Sequence, residues 1–146
     1  MDFIVKSFDE LSLSELYHIL QLRSEVFVVE QDCVYQDIDG KDQKALHVFG
    51  VKEDQIIAYT RLFNKGDYFD NASIGRVIVK ESQRAFGYGH QIMKVSIKAI
   101  KDLYHTTMIT ISAQVYLQKF YESHGFVKEG EAYLEDGIPH IRMTKN

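Results

Sequence analysis

Short apolar stretches of strand length recur along the whole chain, separated by polar turns and by longer segments with helical periodicity. Two strand pairs are predicted to be hairpins, one turning at Glu53-Asp54 and the other at Asp136-Gly137, a dipeptide typical of tight turns. Seven strands are therefore expected. They cover residues 3–7, 47–52, 55–62, 72–79, 108–113, 126–134 and 138–144.

Three stretches with helical periodicity lie between these strands. The first begins at a capping box formed by Ser12 and Glu15, and the third, residues 115–124, is expected to end at Gly125. Helices alternating with strands predict an α/β fold, one sheet with helices on both faces. The predicted apolar faces comprise Leu13, Leu16, Leu20 and Phe27 in the first helix, and Ile92, Val95, Ala99 and Leu103 in the second.

The composition is that of an ordinary globular protein, since 45% of the 146 residues are hydrophobic and 26% are charged. No linker or repeat divides the chain, so a single domain over residues 1–146 is expected. The net charge of −4 and the lack of a basic cluster argue against nucleic acid as a main ligand. No membrane span or signal peptide is expected. The lone Cys33 favours a reducing compartment, and we therefore expect a cytoplasmic protein.

The segment from residue 72 to residue 93 carries the clearest functional signal. It combines a buried strand, a loop, and an amphipathic helix that begins near Gly87 and Gly89. The first N–H groups of a helix have no partner within it, and the helix dipole makes them attractive to anions. Glycine lets the backbone approach an anion closely and adopt φ > 0. With Arg84 nearby, the segment predicts a phosphate or pyrophosphate site.

Three kinds of phosphate-binding loop compete for this segment with a helix start whose glycines serve tight packing. A Walker loop requires Gly-Lys-Ser/Thr, but Gly89 is followed by His90 and Gln91. A dinucleotide fingerprint requires a third glycine, where this chain has Ile92, and an acidic residue ~20 positions further on, which is missing. The remaining kind is a loop that binds acetyl-coenzyme A.

The run QRAFGYG at residues 83–89 resembles the R/Q-x-x-G-x-G/A signature of the GNAT N-acetyltransferases. Downstream, FYESHGF at residues 120–126 resembles the FY-x-x-x-GF of the same family. The resemblance covers nearly the whole chain and implies the GNAT fold, a single mixed and largely antiparallel sheet flanked by helices. The ElaA-like branch of the family is indicated by three further runs, at residues 22–31, 35–40 and 135–140.

The resemblance implies acetyl-CoA as cosubstrate and assigns roles to particular residues. Strand backbone at Val77, Ile78 and Val79 would hold the pantetheine arm and donate an N–H to the oxyanion. Tyr121 would protonate the coenzyme A thiolate, since a phenol stays protonated at neutral pH. Gln114 stands where the family often has an asparagine that contacts the coenzyme. The residues expected at the pyrophosphate are Arg84, Ala85, Phe86, Gly87, Tyr88 and Gly89.

The general base that would deprotonate the acceptor ammonium is not evident from the sequence. Histidine titrates near neutral pH, and His140 lies in the EDGIPH run, which makes it a catalytic candidate beside Tyr121. A lone histidine in a strand is more often structural. Glu30, Asp39 and His47 are the other candidates, at element ends or in loops.

The polar loop of residues 32–44 is predicted to form the acceptor pocket together with Glu30, Arg61 and Arg76, with Asp39 as its acidic contact. Three interpretations of this loop stay open: a solvated turn, an acidic pocket that recruits a cationic amine, and aspartates that pair with the two arginines. The arginines could instead bind a carboxylate. The spacing of the aspartates does not fit a calcium loop, and no metal is expected.

Together these features predict an acetyl-CoA-dependent N-acetyltransferase. It would move an acetyl group to a primary amine of a small molecule or peptide by direct attack in a ternary complex. The alternatives are a non-catalytic acetyl-CoA-binding sensor or regulatory module, and an acyltransferase that uses longer acyl chains. No nucleic-acid or membrane partner is expected, and the protein is expected to be a monomer or a homodimer.

Overall fold

A computed structural model describes residues 1–146. Seven strands alternate with three α-helices, and a π-helical segment (Ser24–Glu30) continues the first of these helices. The helices are α1 (Leu13–Arg23), α2 (Tyr88–Tyr104) and α3 (Gln118–Glu122). The strands are β1 (Asp2–Ser7), β2 (Leu46–Lys52), β3 (Gln55–Phe63), β4 (Ala72–Val79), β5 (Ile109–Gln114), β6 (Val127–Glu135) and β7 (Ile138–Lys145).

All seven strands belong to one sheet, in the order β1-β2-β3-β4-β5-β7-β6. β4 and β5 run parallel because α2 crosses over between them, and every other neighbouring pair is antiparallel. The mixed, largely antiparallel α/β sheet expected from the sequence is therefore confirmed. No helix is both long enough and apolar enough to cross a membrane.

Helices cover both faces of the sheet, as predicted. Neighbouring strand residues point to opposite faces, so that Val48 joins the core beneath α2 and α3 while Phe49 joins the core beneath α1. The core beneath α1 is the smaller one, and its buried members are Ile19, Leu22, Val26, Phe49, Tyr59 and Ile78.

The apolar faces predicted for α1 and α2 are partly wrong. Leu13 is 88% exposed and Leu103 is 54% exposed, whereas Leu16, Leu20, Phe27 and Val95 are only half-buried. Both helices contain two overlapping apolar stripes, and contact with the sheet decides which of them is buried. The residues that are buried are Ile19, Leu22, Arg23 and Val26 on α1 and its π-helical extension, and Ile92, Met93, Ser96, Ala99 and Ile100 on α2.

The predicted turns are confirmed by their backbone angles. Glu53 and Asp54 have φ of 51° and 63°, and Asp136 and Gly137 have φ of 51° and 77°. Two successive residues with positive φ are what a two-residue hairpin needs if the turn is to match the twist of its strands.

The predicted helix ends are also confirmed. The side chains of Ser12 and Glu15 cap each other's backbone N–H groups at distances of 3.0 and 2.8 Å. Gly125, with φ of 89°, ends α3. Its N–H donates to the carbonyl of Glu122 at 3.0 Å, and the next N–H, of Phe126, donates five residues back at 3.2 Å. The third helix itself is shorter than expected, because residues 115–117 form a 3₁₀ turn.

Candidate functional site

The sheet opens between its two parallel strands. β4 and β5 pair only at their beginnings, where Ala72 faces Ile109 and Ser73 faces Thr110. A cavity of about 120 Å³ lies along the opening, lined on one side by Gly75, Arg76 and Val77 and on the other by Ile111, Ser112 and Gln114. Beyond Ser73, the edge of β4 that faces β5 has no partner strand.

A β-bulge lies where β4 leaves its neighbour. Tyr59 pairs with Ile78 and Arg61 pairs with Gly75, so β4 has one residue more than β3 over the same length. Arg76 takes up this extra residue with φ of 50°, a left-handed conformation that costs a non-glycine residue about 1 kcal/mol. The bulge sits at the wall of the cavity, where bulges commonly redirect side chains towards a site.

The glycine loop opens α2 in the way the sequence predicts. Gly87 has φ of 75° and stands at the N-cap. No side chain caps this N-terminus and its first turn contains no acidic residue, so its N–H groups are available to an external anion. Gly89 lies close to the end of β4 and to α3, since a Cβ added to it would be 3.5 Å from the ring of Phe120 and 3.8 Å from Val79.

Two cations border this loop. Arg84 donates through Nε to the carbonyl of Val79 at 2.9 Å, and its two terminal nitrogens are 2.6 and 2.8 Å from the carboxylate of Glu30. The hydrogen bonds to Glu30 raise the pKa of Arg84 above its ordinary value. Lys52 extends from the end of β2 over the rings of Phe86 and Tyr88, at 4.9 and 5.2 Å from their centroids.

Tyr121 and Gln114 line the cavity. Tyr121 is only 6% exposed, and its burial raises the pKa of the phenol above its ordinary value. The hydroxyl therefore keeps its proton throughout the neutral and mildly alkaline range. The amide of Gln114 lies 3.5 Å from that of Gln31, which belongs to the segment after the π-helix.

His140 lines the same cavity as Tyr121. Its Nδ1 is 2.7 Å from the carbonyl oxygen of Ile138, and its Nε2 is 3.3 Å from Oε2 of Glu135. The side chain is 9% exposed, so this histidine is a buried group with one carboxylate partner.

The loop of residues 32–44 is not a solvated turn, because its aspartates pair with arginines of the sheet and of α1. Arg23 and Arg61 are 0% and 1% exposed, and both donate to Oδ1 of Asp42, at 2.7 and 3.0 Å. Arg61 also makes a two-pronged contact with Asp39, with both distances 2.9 Å. Asp37 lies 2.9 Å from Nε of Arg23 and 2.8 Å from Nε of Arg76. We call these three arginines and three aspartates the Arg–Asp network.

The Arg–Asp network makes Asp39 a weak base. Burial alone would raise the pKa of Asp39, but the hydrogen bonds from Arg61 and the charges of Arg61 and Arg76 outweigh it and lower the pKa to about 2. His47 is also a poor candidate. It is fully buried away from the cavity lining, burial lowers its pKa, and its Nε2 donates to the carbonyl of Asp42 at 2.9 Å.

The structure gathers most of the predicted site residues along the opening. The cavity wall contains Val77, Gln114, Tyr121, His140, Arg61 and Arg76, and the glycine loop lies where α2 begins, beside Val79. The side chain of Ile78 points away, into the core beneath α1. Glu30 lies at the glycine loop, bound to Arg84, instead of at the predicted acceptor pocket.

Three charged residues that make contacts around the site were not selected as candidates from the sequence. Glu135 and Arg23 lie inside runs that carry the branch resemblance, but nothing in their spacing distinguishes them from exposed charged residues. Lys52 is the last residue of β2 and lies far in sequence from the glycine loop that its side chain covers. Only pairing across the sheet brings it there, where its Nζ donates to Gln83 at 3.1 Å.

Comparison with known proteins gives matches over the whole chain. The family model described as Acetyltransferase (GNAT) domain matches residues 10–146. Protein ElaA of Escherichia coli is 45% identical over 138 residues, which are 93% of this chain and 90% of that protein. The crystal structure of Escherichia coli ElaA has a TM-score of 0.93 at 40% identity. That of an acyl-CoA N-acyltransferase from Pseudomonas aeruginosa has 0.94 at 42%, and both comparisons cover 100% of each chain.

Proposed function

The chain belongs to the GNAT acetyltransferase family, in its ElaA-like branch, and from this premise we propose that it is an acetyl-CoA-dependent N-acetyltransferase. The acceptor is a primary amine of a small molecule or peptide, which attacks the thioester directly in a ternary complex. The related Pseudomonas aeruginosa protein, described as an acyl-CoA N-acyltransferase, supports acyl transfer to nitrogen.

The observation that carries the proposal is the free edge of β4 beside the uncapped start of α2. The pantetheine arm of coenzyme A is an extended chain with two amides, and such a chain can add to an unpaired strand edge through main-chain hydrogen bonds. The N–H groups at Gly87 and Gly89 supply an anion site at one end of that edge. A pyrophosphate and a polyamide arm therefore match one continuous surface of this chain.

The reaction needs three groups, and the cavity offers a candidate for each. A backbone N–H of β4 beside Val77 can donate to the oxyanion that develops on the thioester carbonyl. Tyr121, kept protonated by its burial, can donate its proton to the departing thiolate. His140 can accept a proton from the incoming ammonium, because it is the histidine that lines the cavity.

The part of the cavity lined by aromatic rings and by the arginines of the Arg–Asp network, which we call the acceptor end, favours a small amine. Its walls include the rings of Phe27, Tyr35, Phe63 and Tyr68, and its arginines are neutralised by the Arg–Asp network. The cavity measures about 120 Å³ and is open to solvent.

Calorimetric titration with acetyl-CoA tests the proposal, with NADH as the control ligand. We expect micromolar binding of acetyl-CoA and no binding of NADH. Release of free thiol is then measured with a panel of primary amines of increasing size, using acetyl-CoA and octanoyl-CoA in parallel. Absence of acetyl-CoA binding would refute the proposed cofactor, and equal or faster use of octanoyl-CoA would refute the acetyl assignment.

A further inference from the structure

The side chain of Arg84 joins the end of β4 to the end of the π-helical segment. Its Nε–H donates to the carbonyl oxygen of Val79 at 2.9 Å, and its two terminal nitrogens donate to the two carboxylate oxygens of Glu30 at 2.6 and 2.8 Å. Glu30 lies 54 residues earlier in the chain, so only the tertiary structure brings it here. All three nitrogens of the guanidinium therefore have a partner that the protein itself supplies.

The carbonyl of Val79 belongs to the free edge of β4. The N–H of Lys80 donates to the carbonyl of Ile57 at 2.8 Å, so these two residues form a hydrogen-bonded pair between β4 and β3. Hydrogen-bonded and non-hydrogen-bonded pairs alternate along antiparallel strands. Val79, which is opposite Ala58, therefore points its N–H and C=O away from β3. Arg84 thus occupies an acceptor on the edge that is proposed to bind the pantetheine arm.

Glu30 offers Arg84 the same kind of partner that a phosphate group would offer. Carboxylates and phosphates both bind an arginine through two parallel N–H···O bonds. The side chains of Arg84 and Glu30 are 42% and 28% exposed, and an ion pair exposed to this degree contributes little free energy. A pyrophosphate, which carries two negative charges in coenzyme A, can therefore replace Glu30 at small cost.

We propose that Glu30 is an internal competitor of the coenzyme: it holds Arg84 in the free protein, and the pyrophosphate of acetyl-CoA replaces it on binding. This inference rests on the proposed function. The exchange keeps the affinity for acetyl-CoA below the value that the glycine loop and an unpaired Arg84 would give together. Product coenzyme A carries the same pyrophosphate, so Glu30 regains Arg84 as the product leaves and favours its release.

The other charged groups at the glycine loop do not duplicate Glu30. Glu81 precedes the loop and its charge acts on Arg84, but no hydrogen bond joins the two side chains. Lys52, the second cation at the loop, donates to Gln83 and is not paired with a carboxylate. Glu30 is therefore the carboxylate that neutralises a cation of this loop by direct contact.

Calorimetric titration of Glu30→Gln with acetyl-CoA tests the exchange. The amide keeps the size of the side chain but loses its charge, so Arg84 becomes free for the pyrophosphate. We expect the dissociation constant to fall by about fivefold, the factor that corresponds to a well-formed exposed ion pair. Coenzyme A should bind more tightly by the same factor. Glu81→Gln is the matched control and should stay within about twofold of the unchanged protein, because an exposed charge without direct contact is screened by salt.

Unchanged or weaker binding by a Glu30→Gln variant that circular dichroism shows to be folded would overturn the proposal, because Glu30 would then not compete with the coenzyme. In an Arg84→Gln background, Glu30→Gln should give no gain, since no guanidinium is left to release. An equal gain in that background would mean simple repulsion by the carboxylate and would also overturn the exchange.

Acetyl-dephospho-CoA identifies which phosphate takes the place of Glu30. It keeps the pyrophosphate and lacks the 3′-phosphate, so Glu30→Gln should bind it more tightly by the same factor as acetyl-CoA. A gain that requires the 3′-phosphate would assign Arg84 to that group and overturn the proposal. An unchanged protein that does not bind acetyl-CoA would instead refute the proposed function itself, and this distinguishes the two failures.

Discussion

At the scale of single residues, burial decides what Tyr121 can do. The same apolar surroundings that exclude water raise the pKa of its hydroxyl, so it does not ionise at working pH and keeps the proton that its proposed role requires. It is packed edge-on against Phe120 at 5.1 Å and against Phe126 at 6.1 Å between ring centroids. These neighbours hold the ring in one orientation at the cavity wall.

Tyr121→Phe keeps that packing and removes only the hydroxyl. We expect kcat to fall by about 100-fold, the usual contribution of a positioned general acid, with little change in the acetyl-CoA dissociation constant. Thiol-release kinetics and calorimetry on the same preparation measure the two quantities. Loss of binding together with rate would indicate a structural role, and an unchanged rate would favour a different proton donor.

At the scale of elements, the start of α2 combines two glycines with different requirements. Gly87 needs a left-handed backbone, whereas at Gly89 the limit is the size of the side chain, because Val79 and the ring of Phe120 lie close to where it would project. The distances of 3.5 Å and more are ordinary contacts, so a single methyl group fits there. A larger or charged group at Gly89 would enter the place proposed for the pyrophosphate.

Gly89→Asp is therefore expected to weaken acetyl-CoA binding by at least tenfold, about 1.4 kcal/mol, because it adds a negative charge at an anion site. Gly89→Ala is the matched control, and it should bind within about threefold of the unchanged protein. Calorimetry gives both affinities, and circular dichroism shows that the variants are folded. A folded Gly89→Asp variant with unchanged affinity would contradict the position of the anion site.

At the scale of the whole molecule, the Arg–Asp network joins the loop of residues 32–44 to α1, β3 and β4. Its ion pairs bridge residues 14 to 39 positions apart in the chain, so it forms only when the tertiary structure does. A buried charge that loses its partner is costly, and each member of the network therefore depends on the others. The network holds this loop at the cavity, which Cys33 and Tyr35 of the loop line together with Arg61 and Arg76.

Acid should weaken this network in a defined pH window. The pKa of Asp39 in the folded protein is about 2, lower than its ordinary value of 3.8. Its contribution to the free energy of unfolding is therefore complete above about pH 4 and is lost as the pH falls towards 2. Asp42, whose pKa is also lowered by Arg23 and Arg61 against the effect of its burial, acts in the same direction.

Asp39→Asn should lower the Tm at pH 7 by roughly 5 °C, the shift that about 1–2 kcal/mol produces in a protein of this size. It should also flatten the fall of Tm between pH 4 and 2, because the titrating carboxyl is gone. Asp70→Asn, at an exposed loop position, is the control and should follow the unchanged protein. Calorimetric melting across this pH range measures both effects, and an acid limb that is identical in Asp39→Asn would contradict the assignment.

Features that depend on a few adjacent residues could be predicted from the sequence, and features that depend on distant parts of the chain could not. The turns at Glu53-Asp54 and Asp136-Gly137, the cap at Ser12 and the stop at Gly125 each depend on a few adjacent residues, because positive φ and side-chain caps are local demands. The buried faces of α1 and α2 were predicted only in part. Each helix had two apolar stripes, and the sheet selected between them.

The sequence by itself determined the strands, the hairpins, the helix ends, the glycine-rich start of α2 and the family, because each of these depends on short runs of neighbouring residues. Only the tertiary structure decided which charged groups are buried and paired. It closed the Arg–Asp network, tied Glu30 to Arg84, and brought Glu135 to His140 beside Tyr121. The physical reason is that a charge is stabilised by whatever partner lies within a few ångströms, and in a sheet that partner comes from a distant part of the chain.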